Sequence, residues 1–280
     1  MIADPKPWTG YTADTRTVED LLDIDEVWYI NLDRRVDRLI HMKKELQKAP
    51  FRSVHRFPAI DATTLKRQEI ERELHGRAVL PVLSNRREYH EELGLGALGC
   101  YLSHLKLWEH VRKSRKKILI LEDDVVIPKD FMKQLEKRRL ELPNKYDMLF
   151  LYCKFNDKPQ PISPGLVKPH SFFGMVAYII TPQFVDKAYH LMTPIRYQID
   201  GAISFLTPMF DIYALDPNLL SFTDSSSDAQ TSNQVGKFMY IEQGTNWTFL
   251  LVILGLMLVG IIWYLNKGFD YGKFFQSYQY

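Results

Sequence analysis

The sequence predicts an α/β domain followed by a single C-terminal transmembrane helix, on three grounds. Strand-like and helix-like stretches alternate from residue 27 onward. Four consecutive apolar residues, Ile118–Leu121, run straight into three carboxylates, Glu122, Asp123 and Asp124. Such an unbroken apolar run is the signature of a strand buried on both faces of a parallel sheet. Trp247–Leu265, WTFLLVILGLMLVGIIWYL, carries no charge at all.

Residues 1–26 are polar and acidic, with Pro5, Pro7 and Gly10, and read as an extended or partly helical lead-in. Val27–Leu32 is a short apolar run ending at Asp33, the first strand. Arg34–Gln47 places Val36, Leu39, Met42 and Leu46 at helical spacing. Ser53–Ile60 reads as a second strand closed by Asp61, and Thr64–His75 as a charged surface helix. Gly94, Gly96 and Gly99 precede a helix over Cys100–Ser114, whose face is Tyr101, Leu105, Trp108 and Val111. Glycines ahead of a helix can open backbone N–H groups to phosphate, and close helix packing explains them equally well. No dinucleotide fingerprint or Walker loop is present.

Beyond the acidic triplet, a helix is expected over Pro128–Leu140 and a strand over Tyr146–Cys153. Residues 154–171 contain four prolines and a glycine and read as a loop, a candidate lid. Gly174–Thr181 returns to strand character, and Pro182 takes the first position of a helix reaching Met192. Asp200 opens a small apolar segment, Asp211–Leu220 holds short strand-like pieces, and Ser221–Asn233 is polar. The division is a lead-in over 1–26, the main domain over 27–232, a linker over 233–246, the span over 247–265 and a tail over 266–280.

The span would reach roughly 30 Å as a helix, about the thickness of a bilayer's hydrocarbon core. Trp247, Trp263 and Tyr264 lie at its ends, where aromatic belts sit. The opening MIADPKPWTG lacks the basic and apolar regions of a signal peptide. Cys100 and Cys153 form neither a CxxC pair nor a disulfide framework and suit a reducing compartment. The expectation is therefore a single-pass, C-terminally anchored membrane protein with its main domain in the cytosol. Lys237, Lys267 and Lys273 tilt the positive-inside bias slightly the other way. Net charge is +2, from 36 basic and 34 acidic residues, with no dominant polybasic tract, so nucleic acid is not an expected partner.

In open α/β sheets, ligands bind beyond the carboxyl ends of the strands, where Glu122–Asp124 fall. Carboxylates this close repel one another unless a cation joins them, and hard oxygen ligands suit Mg²⁺ or Mn²⁺. Such an ion favours a phosphate-bearing ligand. An acidic turn before the helix that Pro128 opens accounts for the same residues.

Three segments together resemble glycosyltransferase family 25: YINLDRRVDRL (29–39), GALGCYLSHLKLWEHV (96–111) and ILILEDDV (118–125). RFPAIDA (56–62) and GMVAYIIT (174–181) also look like family segments, so the resemblance covers roughly Val27–Ser232. It implies a GT-A-like Rossmann fold, a UDP-sugar donor, often UDP-galactose, a Mn²⁺ or Mg²⁺ ion and inversion at the anomeric carbon. The acceptor would be a glycan, lipid or protein hydroxyl. The collagen-modifying members are lumenal, which argues against the cytosolic expectation. Ala97 departs from the pattern, standing where many members have Glu, and the C-terminal span is not part of it.

Within this resemblance, Glu122 and Asp124 are the expected metal ligands, with Asp123 meeting metal-bound water or the donor ribose. Asn31, Asp33 and Arg34 end the first strand, a natural place for a nucleoside, although Asp33 would equally serve as a helix N-cap. Arg38, one turn further on, would face the pyrophosphate or the surface. Asp61 is expected at the ribose, Gly99, Ser103 and His104 at the donor, and Asp228 as an aid to closing the donor site. An inverting transfer needs a base for the acceptor hydroxyl, and Asp200 is the choice over Asp211 and Asp228, with a helix cap as its structural alternative. A nucleotidyltransferase would use the same carboxylates. A membrane-tethered carbohydrate-binding or scaffold protein on a decayed transferase fold is the non-catalytic alternative, with Ala97 as its hint.

Overall fold

The central strands of this chain carry apolar side chains on both faces, and that sets the architecture. The computed structural model describes residues 16–84, 93–223, 257–258 and 261. In chain order come α1 (Val18–Leu22), β1 (Glu26–Asn31), α2 (Val36–Leu46), β2 (Val54–Pro58), α3 (Arg67–Glu73), α4 (Gly76–Ser84) and α5 (Leu95–Ser114). There follow β3 (Ile118–Glu122), β4 (Val125–Val126), α6 (Phe131–Arg138), β5 (Met148–Phe155), β6 (Gln160–Ser163), β7 (Leu166–Lys168) and β8 (Phe172–Ile180). The last elements are α7 (Pro182–Ala188), α8 (Ile199–Ser204), β9 (Ile212–Leu215) and β10 (Ser221–Phe222).

Eight strands form one mixed sheet in the order β2-β1-β3-β8-β5-β9-β7-β6. β2, β1 and β3 are mutually parallel, β8 runs antiparallel between β3 and β5, and β9 is parallel to β5. Successive side chains of a strand point to opposite faces, and β3 shows the consequence. Ile118 and Ile120 enter one core with α5 residues Trp108 and Tyr101, while Leu119 and Leu121 enter a second with α1, α2 and α6. β5 and β8 alternate in the same way. The sheet therefore lies between two helical layers, which is why these strands read as continuous apolar runs.

The differences from expectation have local causes. The lead-in contains α1, capped by Thr17 in a reciprocal box with Asp20, and its Val18, Leu21 and Leu22 are buried. The α4 segment gave no earlier signal and packs Ala78 and Val82 into the core. α5 starts at Leu95, so Gly96 and Gly99 lie inside the helix rather than in a loop before it. A Cβ on Gly99 would sit 2.5 Å from the carbonyl oxygen of Ile60; the glycine permits close packing of α5 on the end of β2. The expected lid, 154–171, is instead largely a hairpin, with β6 paired to β7 and β7 to β9 at the sheet's edge. Its prolines Pro161 and Pro164 flank or occupy this edge, where a missing N–H is tolerated.

Two units separate, Met1–Val235 and Gly236–Tyr280. In the second, the described residues Met257, Leu258 and Ile261 are helical and exposed. The rest of the expected span Trp247–Leu265, the linker, the tail and Asp228 lie outside the described residues. Among the described residues, no helix is long and apolar enough to cross a membrane.

Candidate functional site

β1 sends the chain out to β2 on one side and pairs with β3 on the other, so the strand order reverses at β1. Beyond the carboxyl ends of β1, β2 and β3, a cavity of about 180 Å³ opens, the kind of crevice where α/β sheets bind ligands. Its wall includes Arg34 and Arg38 from the β1–α2 corner, Asp61 after β2, Gly99, Cys100, Ser103 and His104 from α5, and the acidic turn Glu122–Asp124.

The register Ile30↔Glu122 sets Asn31 beside Asp123. Asn31 Nδ2 donates to Asp123 Oδ2 at 2.7 Å, and Arg38 Nη1 donates to Asp123 Oδ1 at 2.6 Å. Arg38 also reaches Asp124 Oδ2 at 3.5 Å. One cation thus serves two carboxylates, with Glu122 as a third close by. Asp124 Oδ1 is buried without a hydrogen-bond partner. Burial, with the charge of Glu122 behind it, pushes the Asp124 carboxyl up to about 7. The turn is short of positive charge, and the hard oxygens of Glu122 and Asp124 fit a divalent cation.

His104 lies behind the turn with its side chain only 1% exposed. Its Nδ1 is 2.7 Å from the Tyr178 hydroxyl, to which Trp108 Nε1 donates at 3.0 Å. Its Nε2 lies 3.4 Å from Glu122 Oε1 and makes no hydrogen bond. Burial first, then the carboxylates Glu122 and Asp200, pushes the Cys100 thiol well up.

The remaining expected residues divide. Arg34 Nε donates to Asp61 Oδ2 at 2.8 Å, and both line the cavity. Burial opposes the charge on Asp61, but Thr63 and Arg34 hold its carboxyl below the ordinary range. Ser103 lines the wall, yet its hydroxyl is committed to backbone, donating to Gly99 O at 2.6 Å and accepting from Ile60 N at 2.8 Å. Asn31 is buried and does not line the cavity; besides donating to Asp123, it accepts from Arg56 Nε at 3.0 Å. Asp33, 80% exposed, pairs with Arg56 at 2.6 Å and caps nothing, since α2 has no side-chain cap. Ala97 is buried in the core and does not line the cavity.

Asp200 lies on α8, outside the cavity wall. Its carboxylate accepts from Gly174 N at 3.0 Å and Gly201 N at 2.7 Å. Gly174 has φ +79, a conformation that side chains disfavour. Burial pushes the Asp200 carboxyl up, the two amides restrain it, and Glu122 adds to the rise.

Tyr178 and Cys100 are the residues that sequence reasoning did not place here. Arg38 was expected at a pyrophosphate or the surface; it is not on the surface but lines the cavity as the buried partner of the acidic turn. The helical spacing of Arg34 and Arg38 was visible, but the β1–β3 register that aims Arg38 at Asp123 was not.

The profile of glycosyltransferase family 25 (LPS biosynthesis protein) matches residues 24–161, which include every residue lining the cavity. The chain is 28% identical over 169 residues to a glycosyltransferase 25 family member of Drosophila melanogaster, covering 58% of this chain and 27% of that protein. It is 31% identical over 194 residues to human procollagen galactosyltransferase 2, covering 65% and 30%. It is 27% identical over 208 residues to mouse inactive glycosyltransferase 25 family member 3, covering 70% and 33%. The chain thus spans about a third or less of the length of these relatives.

Proposed function

Residues 24–161 carry a glycosyltransferase family 25 region, and from that premise we propose that the chain transfers a hexose, galactose or glucose, from a UDP-sugar to a glycan, lipid or protein hydroxyl. The observation that carries this reading is the undercompensated turn Glu122–Asp124 at the head of a cavity on the strands' carboxyl ends. In this reading the fold is GT-A-like, transfer is inverting, and Glu122 and Asp124 hold Mn²⁺ or Mg²⁺. That ion would supply Lewis-acid stabilisation of the charge growing on the departing diphosphate.

The chain's own groups do the rest. Arg34 offers a guanidinium at the wall for the diphosphate, and Asp61 an acceptor for ribose hydroxyls. Gly99, Ser103 and His104 shape the donor wall from α5, and Asn31, Arg38 and Asp123 fix the turn. Asp33 and Asp228 stay assigned to the donor side. Asp200 takes the proton of the acceptor hydroxyl as its oxygen bonds to the anomeric carbon and the bond to the diphosphate breaks. A carboxylate raised by burial is the better base near neutral pH.

The membrane anchor belongs to the same proposal: Trp247–Leu265 spans the bilayer, with the catalytic domain in the cytosol. Incubating the full chain in detergent with a panel of UDP-hexoses and Mn²⁺ tests the enzymatic reading; UDP release that disappears in Asp124→Asn is expected. A mouse relative named inactive favours a second reading, binding without turnover. UDP-hexose binding with no UDP release for any donor and acceptor would select it.

A further inference from the structure

Cys100 and His104 are one turn apart on α5, and Glu122 ends β3 directly opposite. The cysteine sulfur, an imidazole nitrogen and a carboxylate oxygen of these residues all lie within 4.8 Å of one another. We propose that Cys100, His104 and Glu122 form a binding site for a zinc-class cation, distinct in donor chemistry from the oxygen-only pair Glu122–Asp124 with which it shares Glu122.

The donor chemistry supports this. A thiolate, an imidazole and a carboxylate together suit Zn²⁺ or Co²⁺, whereas Mg²⁺ and Mn²⁺ prefer oxygen. His104 has its Nε2 buried without a hydrogen bond, beside the Glu122 carboxylate. A buried ring nitrogen without a partner is costly, and a cation would answer it. Tyr178 engages the other ring nitrogen and is itself held by Trp108. An outer partner of this kind orients a ligating histidine and lets it carry its proton on Nδ1. The 3.4 Å from Nε2 to Glu122 Oε1 also fits. Two ligand atoms at about 2.0–2.1 Å from a tetrahedral ion stand roughly 3.3–3.4 Å apart.

Three protein ligands leave a fourth position, and all three residues line the cavity, so that position faces the donor pocket. Glu122 is common to both sets, and a carboxylate has an oxygen for each. Cys100 must lose its proton to bind, which the cation drives.

The test loads the metal-stripped full chain with Co²⁺ alone. One equivalent should bind and give a thiolate-to-cobalt charge-transfer band together with the visible bands of tetrahedral cobalt. Zn²⁺ should abolish both, and Mg²⁺ should leave them unchanged. The charge-transfer band should vanish in Cys100→Ser and survive in Asp124→Asn. Cobalt binding without that band, or a band indifferent to Cys100→Ser, overturns the site. Should Cys100→Ser not fold, X-ray absorption on the zinc-loaded wild-type chain decides. One sulfur at about 2.3 Å is expected, and a shell of nitrogen and oxygen alone overturns it. The thiolate band without UDP release sinks only the transferase reading; UDP release without the band sinks only this site.

Discussion

Arg38 Nη1 sits 2.6 Å from Asp123 Oδ1, with the two side chains only 11% and 10% exposed. Asn31 completes the carboxylate's partners from the adjacent strand. Asp123 is therefore neutralised from within, while Asp124, 3.5 Å from the same guanidinium, keeps one oxygen without a partner. All three acids line the cavity, but the middle one is spent on positioning the turn.

Removing Arg38 tests this division. Arg38→Ala would leave the Asp123 charge buried and uncompensated, a change that typically costs about 3–5 kcal/mol. Urea denaturation should show a loss of that size. Arg38→Lys should recover only part of it, because a point ammonium cannot reproduce the guanidinium's directed donors. Wild-type stability in Arg38→Ala would show that Asp123 is held by Asn31 alone.

Gly99→Ala addresses how the cavity wall is built. The new Cβ would meet Ile60 O at 2.5 Å and Ala62 N at 3.2 Å, both backbone atoms that cannot swing aside. A destabilisation of about 1–3 kcal/mol is expected, the usual range for overpacking. Thermal unfolding that matches wild type would mean α5 slides freely over the end of β2.

These two sites mark what was legible in the sequence. The β3 acids at a strand's carboxyl end, the β1–α2–β2 unit and the Pro182 helix start follow from local rules of period and capping. The edge hairpin β6–β7 does not, because its prolines mimic a loop unless the neighbouring β9 is known. The carboxylates could be found as a cluster, but their inequality could not. It depends on the register Ile30↔Glu122, which brings Asn31 and Arg38 to Asp123 from about ninety residues away. Gly99 gave a glycine signal whose cause, contact with Ile60, is tertiary.

Asp200→Asn probes the proposed base. Each carboxylate oxygen takes one of the Gly174 and Gly201 N–H groups, so the asparagine can satisfy only one of them, and a modest loss of stability should accompany an otherwise retained fold. Transfer should fall by about a hundredfold or more, the scale for a positioned general base. UDP-sugar binding by calorimetry should be unchanged. Lost UDP binding would move Asp200 to the donor side.

The pH dependence of stability should expose Asp124. Its carboxyl rises from 3.8 to about 7 on folding, because burial and then Glu122 disfavour the charged form. A carboxyl raised in this way contributes most below its unfolded value and loses that contribution as pH climbs through the folded one. The metal-free protein should therefore lose stability from this group between about pH 4 and 7. Asp124→Asn has no charge to bury, so its stability should fall less steeply over that window. Saturating Mn²⁺ should reverse the wild-type slope, since the ion binds the ionised carboxylate and stabilises the folded chain by mass action. Melting curves at several pH values, for both proteins with and without Mn²⁺, make the comparison. Parallel pH profiles for the two metal-free proteins would show that Asp124 is already compensated by Arg38 and that the turn has no need of a cation.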